Sequence, residues 1–178
     1  MSMKISNILM VVLLAIGCNS PEDSAWEPLE TVPYVDIARF MGDWYVIANI
    51  PTFIEKGATN AVESYKLNEQ GEIETTFSFF QDSPTGKKNV YTPKGFIHNT
   101  QTNAEWRMQF IRPFKMPFLI IDLAADYSHT VIGYPNRNYV WIMARNPQLP
   151  ADTYTSIIQK LEGVGYDIST IEMVPQQW

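Results

Sequence analysis

The chain has 178 residues, room for one sizeable domain and too little for two ordinary ones. Apolar residues make up 46 % and charged residues 18 %, a globular composition and neither a disordered nor a fibrous one. Thirteen Lys and Arg against nineteen Asp and Glu give a net charge of −6, which argues against a phosphate-binding face and so against nucleic acid as a partner. The lone cysteine, Cys18, excludes an intramolecular disulfide framework. Two histidines, His98 and His129, leave little material for a metal or acid–base centre, so neither a metal nor a cofactor is expected.

The first element in chain order is a secretory signal. Lys4 supplies a positive charge, and Ile8 to Ile16 is an uninterrupted apolar run. Nine residues rising about 1.5 Å each cannot cross a hydrocarbon core of roughly 30 Å, so the run is the hydrophobic part of a signal peptide and not a membrane span. It stops at Gly17-Cys18, an arrangement that resembles a bacterial lipobox, with Ala15 where Leu is usual. The resemblance implies cleavage after residue 17 and lipid attachment at Cys18. Asn19, in place of the Asp that favours inner-membrane retention, points to the outer membrane, facing the periplasm. Residues 18–35 read as an extended, solvated tether, with Pro21, Pro28 and Pro33 interleaved with Glu22, Asp23, Glu27 and Glu30.

Residues 36–178 read as the domain. Short runs of strand character recur from Gly42: Trp44 to Ile50, Ala58 to Leu67, Glu72 to Gln81, Lys88 to His98, Ala104 to Ile111, Met116 to Leu123, His129 to Tyr134 and Tyr139 to Arg145. Turn residues separate them, as in Asn68-Glu69-Gln70-Gly71 and Pro135-Asn136-Arg137-Asn138. One helix follows at about residues 150–163, where Tyr154, Ile157, Ile158 and Leu161 fall on one face. Ile171 to Val174 adds a last short strand. Eight strands with short links predict an all-β fold, an eight-stranded antiparallel up-and-down barrel with the helix packed outside. Such a barrel is just wide enough to hold one small ligand. Strict alternation puts Phe77, Phe79, Trp106, Met108 and Phe110 on inward faces, and Trp141 joins them as a cavity candidate. Composition leaves open whether they line a ligand cavity or fill a core.

Phe40-Met41-Gly42-Asp43-Trp44-Tyr45 resembles the Gly-x-Trp motif that opens the first strand of lipocalins. Asp126-Tyr127 resembles the second lipocalin motif, with Ala125 where Thr is frequent, and Tyr139 to Arg145 resembles the third. Together with the lipobox, the chain is similar to the bacterial outer-membrane lipoprotein branch of that family. The resemblance implies that Trp44 plugs the closed end and Arg145 covers its ring. Gly42 would pass the chain tightly into the strand, and none of these residues would touch ligand. It further implies carriage of a hydrophobic molecule, a fatty acid or lysophospholipid, with the head group at the open end. Lys56, Lys87, Lys88, Arg112 and Lys115 fall in the loops there, either as ordinary solvated loop charge or as attraction for an anionic head group or anionic lipid. Phe53, Ile54, Phe114 and Phe118 are placed at the same rim, to face ligand or membrane. The membrane is the other expected partner, through the Cys18 anchor; the sequence leaves monomer and homodimer both open. Two rival classes remain, a lipid-modifying enzyme and a barrel filled by its aromatics that binds a partner instead. No Gly-x-Ser-x-Gly elbow or placed carboxylate pair favours the enzyme, and an inward Glu63 or Glu74 is its first candidate group.

Overall fold

The computed structural model describes residues 27–178. The expected signal peptide, the anchor Cys18 and the first part of the tether lie outside them. A single turn of helix, α1 (Ile37–Phe40), leads into strands β1 (Gly42–Ile50), β2 (Ala58–Leu67), β3 (Glu72–Gln81), β4 (Lys88–Tyr91), β5 (Lys94–Ile97), β6 (Glu105–Ile111), β7 (Phe114–Leu123), β8 (His129–Gly133) and β9 (Val140–Ala144). Helix α2 (Ala151–Gly163) and a two-residue strand β10 (Glu172–Met173) follow. Each strand pairs antiparallel with its neighbour, and β9 returns to β1, from Tyr45↔Ala144 to Ile50↔Val140, so the sheet closes into a barrel.

Nine of the ten short strands make eight barrel staves. The run Lys88 to His98, expected as one strand, divides into β4 and β5 at Thr92-Pro93, because proline has no N–H for the ladder. β5 bonds both β3 and β6, whereas β4 pairs only with β3 among the described residues. β10 is not a stave. It lies on β1 through Ala48↔Met173 and Asn49↔Glu172, whereas β2 pairs with β1 only from Gly42 to Tyr45. The C-terminal segment therefore fills the seam between the far halves of β1 and β2. Val174 donates its N–H to the Ile47 carbonyl, Asn60 donates to the Pro175 carbonyl, and Gln176 Nε2 donates to Val46 and Ala61 on the two strands.

Two apolar cores lie on opposite faces of this wall. Inside are Trp44, Val46, Tyr65, Ile73, Phe77, Phe79, Trp106, Met108, Phe118, Ile120, Ile132 and Met143 with Phe40. Outside, Ala48, Val131, Val140 and Ile142 meet Ile157 and Leu161 of α2 and Tyr166. A register shift between Val46 and Ala48 turns β1 from one face to the other, as one extra residue must in a structure of period two. Full burial of Ile157 and Leu161 contributes about 1.5–3 kcal/mol each, and Lys160 adds an ion pair to Asp122 on β7. No disulfide is needed to hold the helix.

The segment expected as a solvated tether up to Val35 is docked from Leu29 onward. Val35 is fully buried, Leu29 and Val32 pack against the cores, and Val32 and Val35 donate N–H bonds to Ile120 and Thr102. Apolar residues at every third position gave this stretch something to bury, which its prolines and acids obscured.

Candidate functional site: a calyx closed by a Trp–Arg plug

The turns β2–β3, β5–β6 and β7–β8 gather at the α1 end, and the connections β1–β2, β3–β4, β6–β7 and β8–β9 at the other. The α1 end is closed. Trp44 is fully buried, donates its indole N–H to the Phe40 carbonyl at 2.9 Å, and packs 5.0 Å from the Phe40 ring. Above it Trp106 stacks on Phe118 at 5.1 Å and meets Phe40 and Tyr65 edge-on. Phe118, expected at the rim, thus belongs to the closed end: it sits opposite Trp106 in the β6–β7 register, inside the wall.

Arg145 follows β9 and lies over Trp44, its guanidinium carbon 3.8 Å from the ring centroid. Its nitrogens donate to the carbonyls of Arg39, Phe40, Met41 and Asp43 at 2.7–3.1 Å. These are the C-terminal carbonyls of α1 and its exit, which have no partner within so short a helix. Partial burial is the largest influence on Arg145 and lowers its pKa from the ordinary arginine value. Gly42, at φ +94°, is needed for this closure, because a Cβ there would stand 3.3 Å from an Arg145 nitrogen. The second motif braces the same end. Tyr127 accepts the Asp36 N–H on its hydroxyl at 2.8 Å and carries Arg39 4.0 Å over its ring. Asp126 caps the turn by accepting from Ser128 N, and bonds from Ser128 hold its pKa below the usual value.

The cavity candidates divide by height. Trp106 is part of the plug, whereas Phe77 and Phe79 form a slab with Tyr91 at 5.2–6.3 Å in the upper half. Met108 is buried among the inner core, and Trp141 is partly buried against it. Phe110, in contrast, is 43 % exposed near the mouth, where a register shift between Met108 and Ile111 breaks the inward alternation. The rim cations Lys56, Lys87, Lys88, Arg112 and Lys115 are exposed, and none forms an ion pair among the described residues.

Carboxyl groups inside the wall were legible only in part. Glu63 points inward, as one of the two expected candidates, and Glu74 points out. Tyr65 donates its hydroxyl to Glu63. Burial, partly offset by that bond and reinforced by Glu55, pushes the Glu63 carboxyl up to about 7. Glu55, from the β1–β2 loop, is 5 % exposed and accepts from Trp141 Nε1 at 2.7 Å and from the Thr52 N–H and hydroxyl at 3.0 and 2.5 Å. Nothing in the loop's sequence marks it as a buried acceptor. Thr75, opposite Tyr65 on β3, has a buried hydroxyl without a hydrogen-bond partner among the described residues.

An eight-stranded cup with an apolar interior, one end plugged and the other ringed by loops, defines a calyx-type binding barrel. A family model of lipocalin-like domains matches residues 35–176, and the chain belongs to the lipocalin family. It is 29 % identical over 157 residues to temperature-induced lipocalin-1 of Arabidopsis thaliana, covering 83 % of each chain. To the outer membrane lipoprotein Blc of Escherichia coli strain K12 it is 24 % identical over 163 residues, 92 % of this chain and 90 % of that one. Among solved structures, insecticyanin of the tobacco hornworm Manduca sexta superposes with a TM-score of 0.66 at 18 % identity, over 86 % of this chain and 87 % of that one.

Proposed function

We propose that the protein is a membrane-anchored carrier that stores or transports a fatty acid or lysophospholipid in the cell envelope. Cys18 is its lipid attachment site, and the outer membrane, on the periplasmic side, is its location. The observation that carries this reading is the apolar interior of the closed barrel, with the Trp44–Arg145 plug at one end and only loops at the other. Relatives named as outer membrane lipoproteins support the location.

Binding is by partition. Each methylene moved from water into the barrel gains about 0.8 kcal/mol, so a dozen reach roughly 10 kcal/mol before ordering costs are subtracted. The acyl chain enters tail first. Glu63 and Glu55 make the interior unwelcoming to a carboxylate or phosphate, whereas Lys56, Lys87, Arg112 and Lys115 at the rim attract one. Catalysis is disfavoured because Glu63 and Glu55 are engaged by Tyr65, Trp141 and Thr52, with no activated nucleophile beside them.

The slab of Phe77, Phe79 and Tyr91 supports one competing reading, a filled barrel that serves as a partner-binding lipoprotein. Native mass spectrometry and tryptophan fluorescence of the chain from Asn19 decide between them; that chain holds every residue of both cores and all barrel pairings. Saturable one-to-one binding of lysophospholipid or free fatty acid, micromolar or tighter, is expected. A cooperatively melting chain with neither adduct nor fluorescence change sinks the carrier. The anchor is tested separately: Cys18→Ser in the full chain releases the protein from membrane fractions, and continued membrane attachment would reject it.

A further inference from the structure

The mouth of the barrel carries the two kinds of surface that a charged lipid bilayer attracts, on one contiguous rim. Six consecutive residues, Ile111 to Met116, are all exposed at the tip of the β6–β7 hairpin. Ile111 and Phe114 are each 72 % exposed, and Phe53 in the β1–β2 loop is 87 % exposed. Val90 on β4 joins them. Scattered apolar side chains are ordinary on a protein surface, but this concentration at one end is not. Arg112 and Lys115 lie between the apolar residues of the tip, with no acidic residue from Phe110 to Pro117. Lys87 and Lys88, at the β3–β4 connection, belong to the same end of the barrel, and the Lys115 ammonium turns 3.5 Å over the Phe96 ring of β5. The chain as a whole is acidic, so the cations of this hairpin reverse the sign locally; Glu72, already paired with Lys94, is the acid within electrostatic reach of Arg112.

The course of the N-terminal segment is an independent observation. Arg137, in the β8–β9 turn at the open end, donates to the Glu27 carbonyl, and the chain then runs along the wall to Val35 at the closed end. The described chain thus begins beside the mouth. Nine residue-to-residue steps separate Glu27 from Cys18. At no more than about 3.3–3.6 Å each, they reach roughly 30 Å. An anchor there brings the mouth to the bilayer with slack; presenting the closed end would use nearly all of that reach along the barrel. At the mouth, β4 also lacks ladder partners toward β6 among the described residues.

We infer that the open rim, centred on Ile111, Arg112, Phe114 and Lys115, is a docking surface for an anionic phospholipid bilayer, so that the calyx opens onto the membrane. Apolar side chains enter the interface while the cations between them pair with lipid phosphates. Ligand then exchanges between bilayer and barrel without crossing water. The rim contact is a property of the folded domain and does not require the lipid anchor.

The test uses the chain from Asn19, which contains no cysteine, and vesicles of phosphatidylcholine with or without phosphatidylglycerol. Flotation with the mixed vesicles and little with neutral ones is expected. Arg112→Gln with Lys115→Gln should weaken it about 25-fold, at roughly 5-fold per charge near such a surface. Ile111→Ser with Phe114→Ser should weaken it on both vesicle types. The Ile111→Ser with Phe114→Ser variant, which leaves the rim cations in place, should keep its fluorescence response to lysophospholipid, and that separates loss of docking from loss of carriage. An environment-sensitive dye at Phe114→Cys should shift to the blue on mixed vesicles, and the same dye at Glu69→Cys, at the closed end, should not. Absence of flotation at low salt, flotation unchanged in both variants, or a shift at residue 69 alone would overturn the inference. So would a shift at residue 114 that depends on protein concentration without lipid, because the patch would then bind a second copy.

Discussion

Replacing Arg145 by alanine isolates the plug from the rest of the barrel. The side chain gives charged hydrogen bonds to four carbonyls, from Arg39, Phe40, Met41 and Asp43, and covers the Trp44 ring at 3.8 Å. A hydrogen bond involving a charged group contributes about 1.5–3 kcal/mol and a partly desolvated cation–π contact about 0.5–2 kcal/mol. The bonds share one donor group and are not additive, and water reaches the exposed side of the guanidinium, so a loss of about 3–4 kcal/mol is expected. For a domain of this size that lowers the melting temperature by about 6–16 °C. Arg145→Lys should recover less than half of the loss, because an ammonium cannot spread over four acceptors and lie flat on the ring. Denaturant titrations of the three proteins, with lysophospholipid binding measured below each transition, make the comparison. Affinity per folded molecule should be unchanged, since the plug lies beneath the aromatic floor. A loss under about 1 kcal/mol, or a folded Arg145→Ala protein that no longer binds, refutes the reasoning.

Three further outcomes follow from the interior and its seams. Glu63, with a carboxyl pKa near 7 in the fold against about 4.5 unfolded, makes the unfolded chain release its proton first; stability therefore falls as pH rises from about 4.5 to 7 and then levels. Glu63→Gln should remove that slope and stabilise the protein by up to about 3 kcal/mol above pH 7, read from denaturant midpoints between pH 5 and 8. An unchanged slope in the variant would place the titration elsewhere. Glu55→Ala strands the Trp141 and Thr52 donors and should cost about 2–4 kcal/mol, with a shifted tryptophan emission; a silent substitution would mean the loop is held otherwise. Deleting residues 172–178 removes the strand and side-chain bonds that join β1 to β2 and should cost at least about 3 kcal/mol by urea titration, with faster amide exchange along Val46 to Ile50. Full protection there would show that the seam closes without the segment.

The elements that alternate cleanly were readable from sequence because a wall with one buried face imposes period two. Ile73, Thr75, Phe77 and Phe79 on β3, and Trp106 and Met108 on β6, face inward where the pattern puts them. The helix at 151–163 was equally plain from Ile157 and Leu161 at spacing four. Alternation says which face a residue takes and nothing of how high it stands in the barrel. Hence Phe118 was expected at the mouth and stacks on Trp106 at the other end, and Trp106 was grouped with cavity walls although it belongs to the plug. Height follows from register across strands, here Trp106↔Phe118, and register is set by turn lengths and bulges far from either residue.

The departures from period two are where the barrel acquires its working parts. The shift at Ile47 sends Ala48 outward to receive β10, and the C-terminal segment can then complete the wall between β1 and β2. The break at Pro93 leaves β4 without a partner toward β6, and the shift after Met108 releases Phe110 and Ile111 to the surface beside that gap. A fully regular eight-stranded barrel of this composition would bury those side chains and seal its wall. Irregularity on one side therefore leaves β4 unpaired toward β6 and brings apolar side chains to the surface beside it. Regularity at the other end, where Trp44, Phe40 and Arg145 interlock, keeps the cup closed. One chain thus separates an interlocked floor from an irregularly paired rim, the division of labour that the proposed carriage would use if ligand is to enter and leave without unfolding the protein.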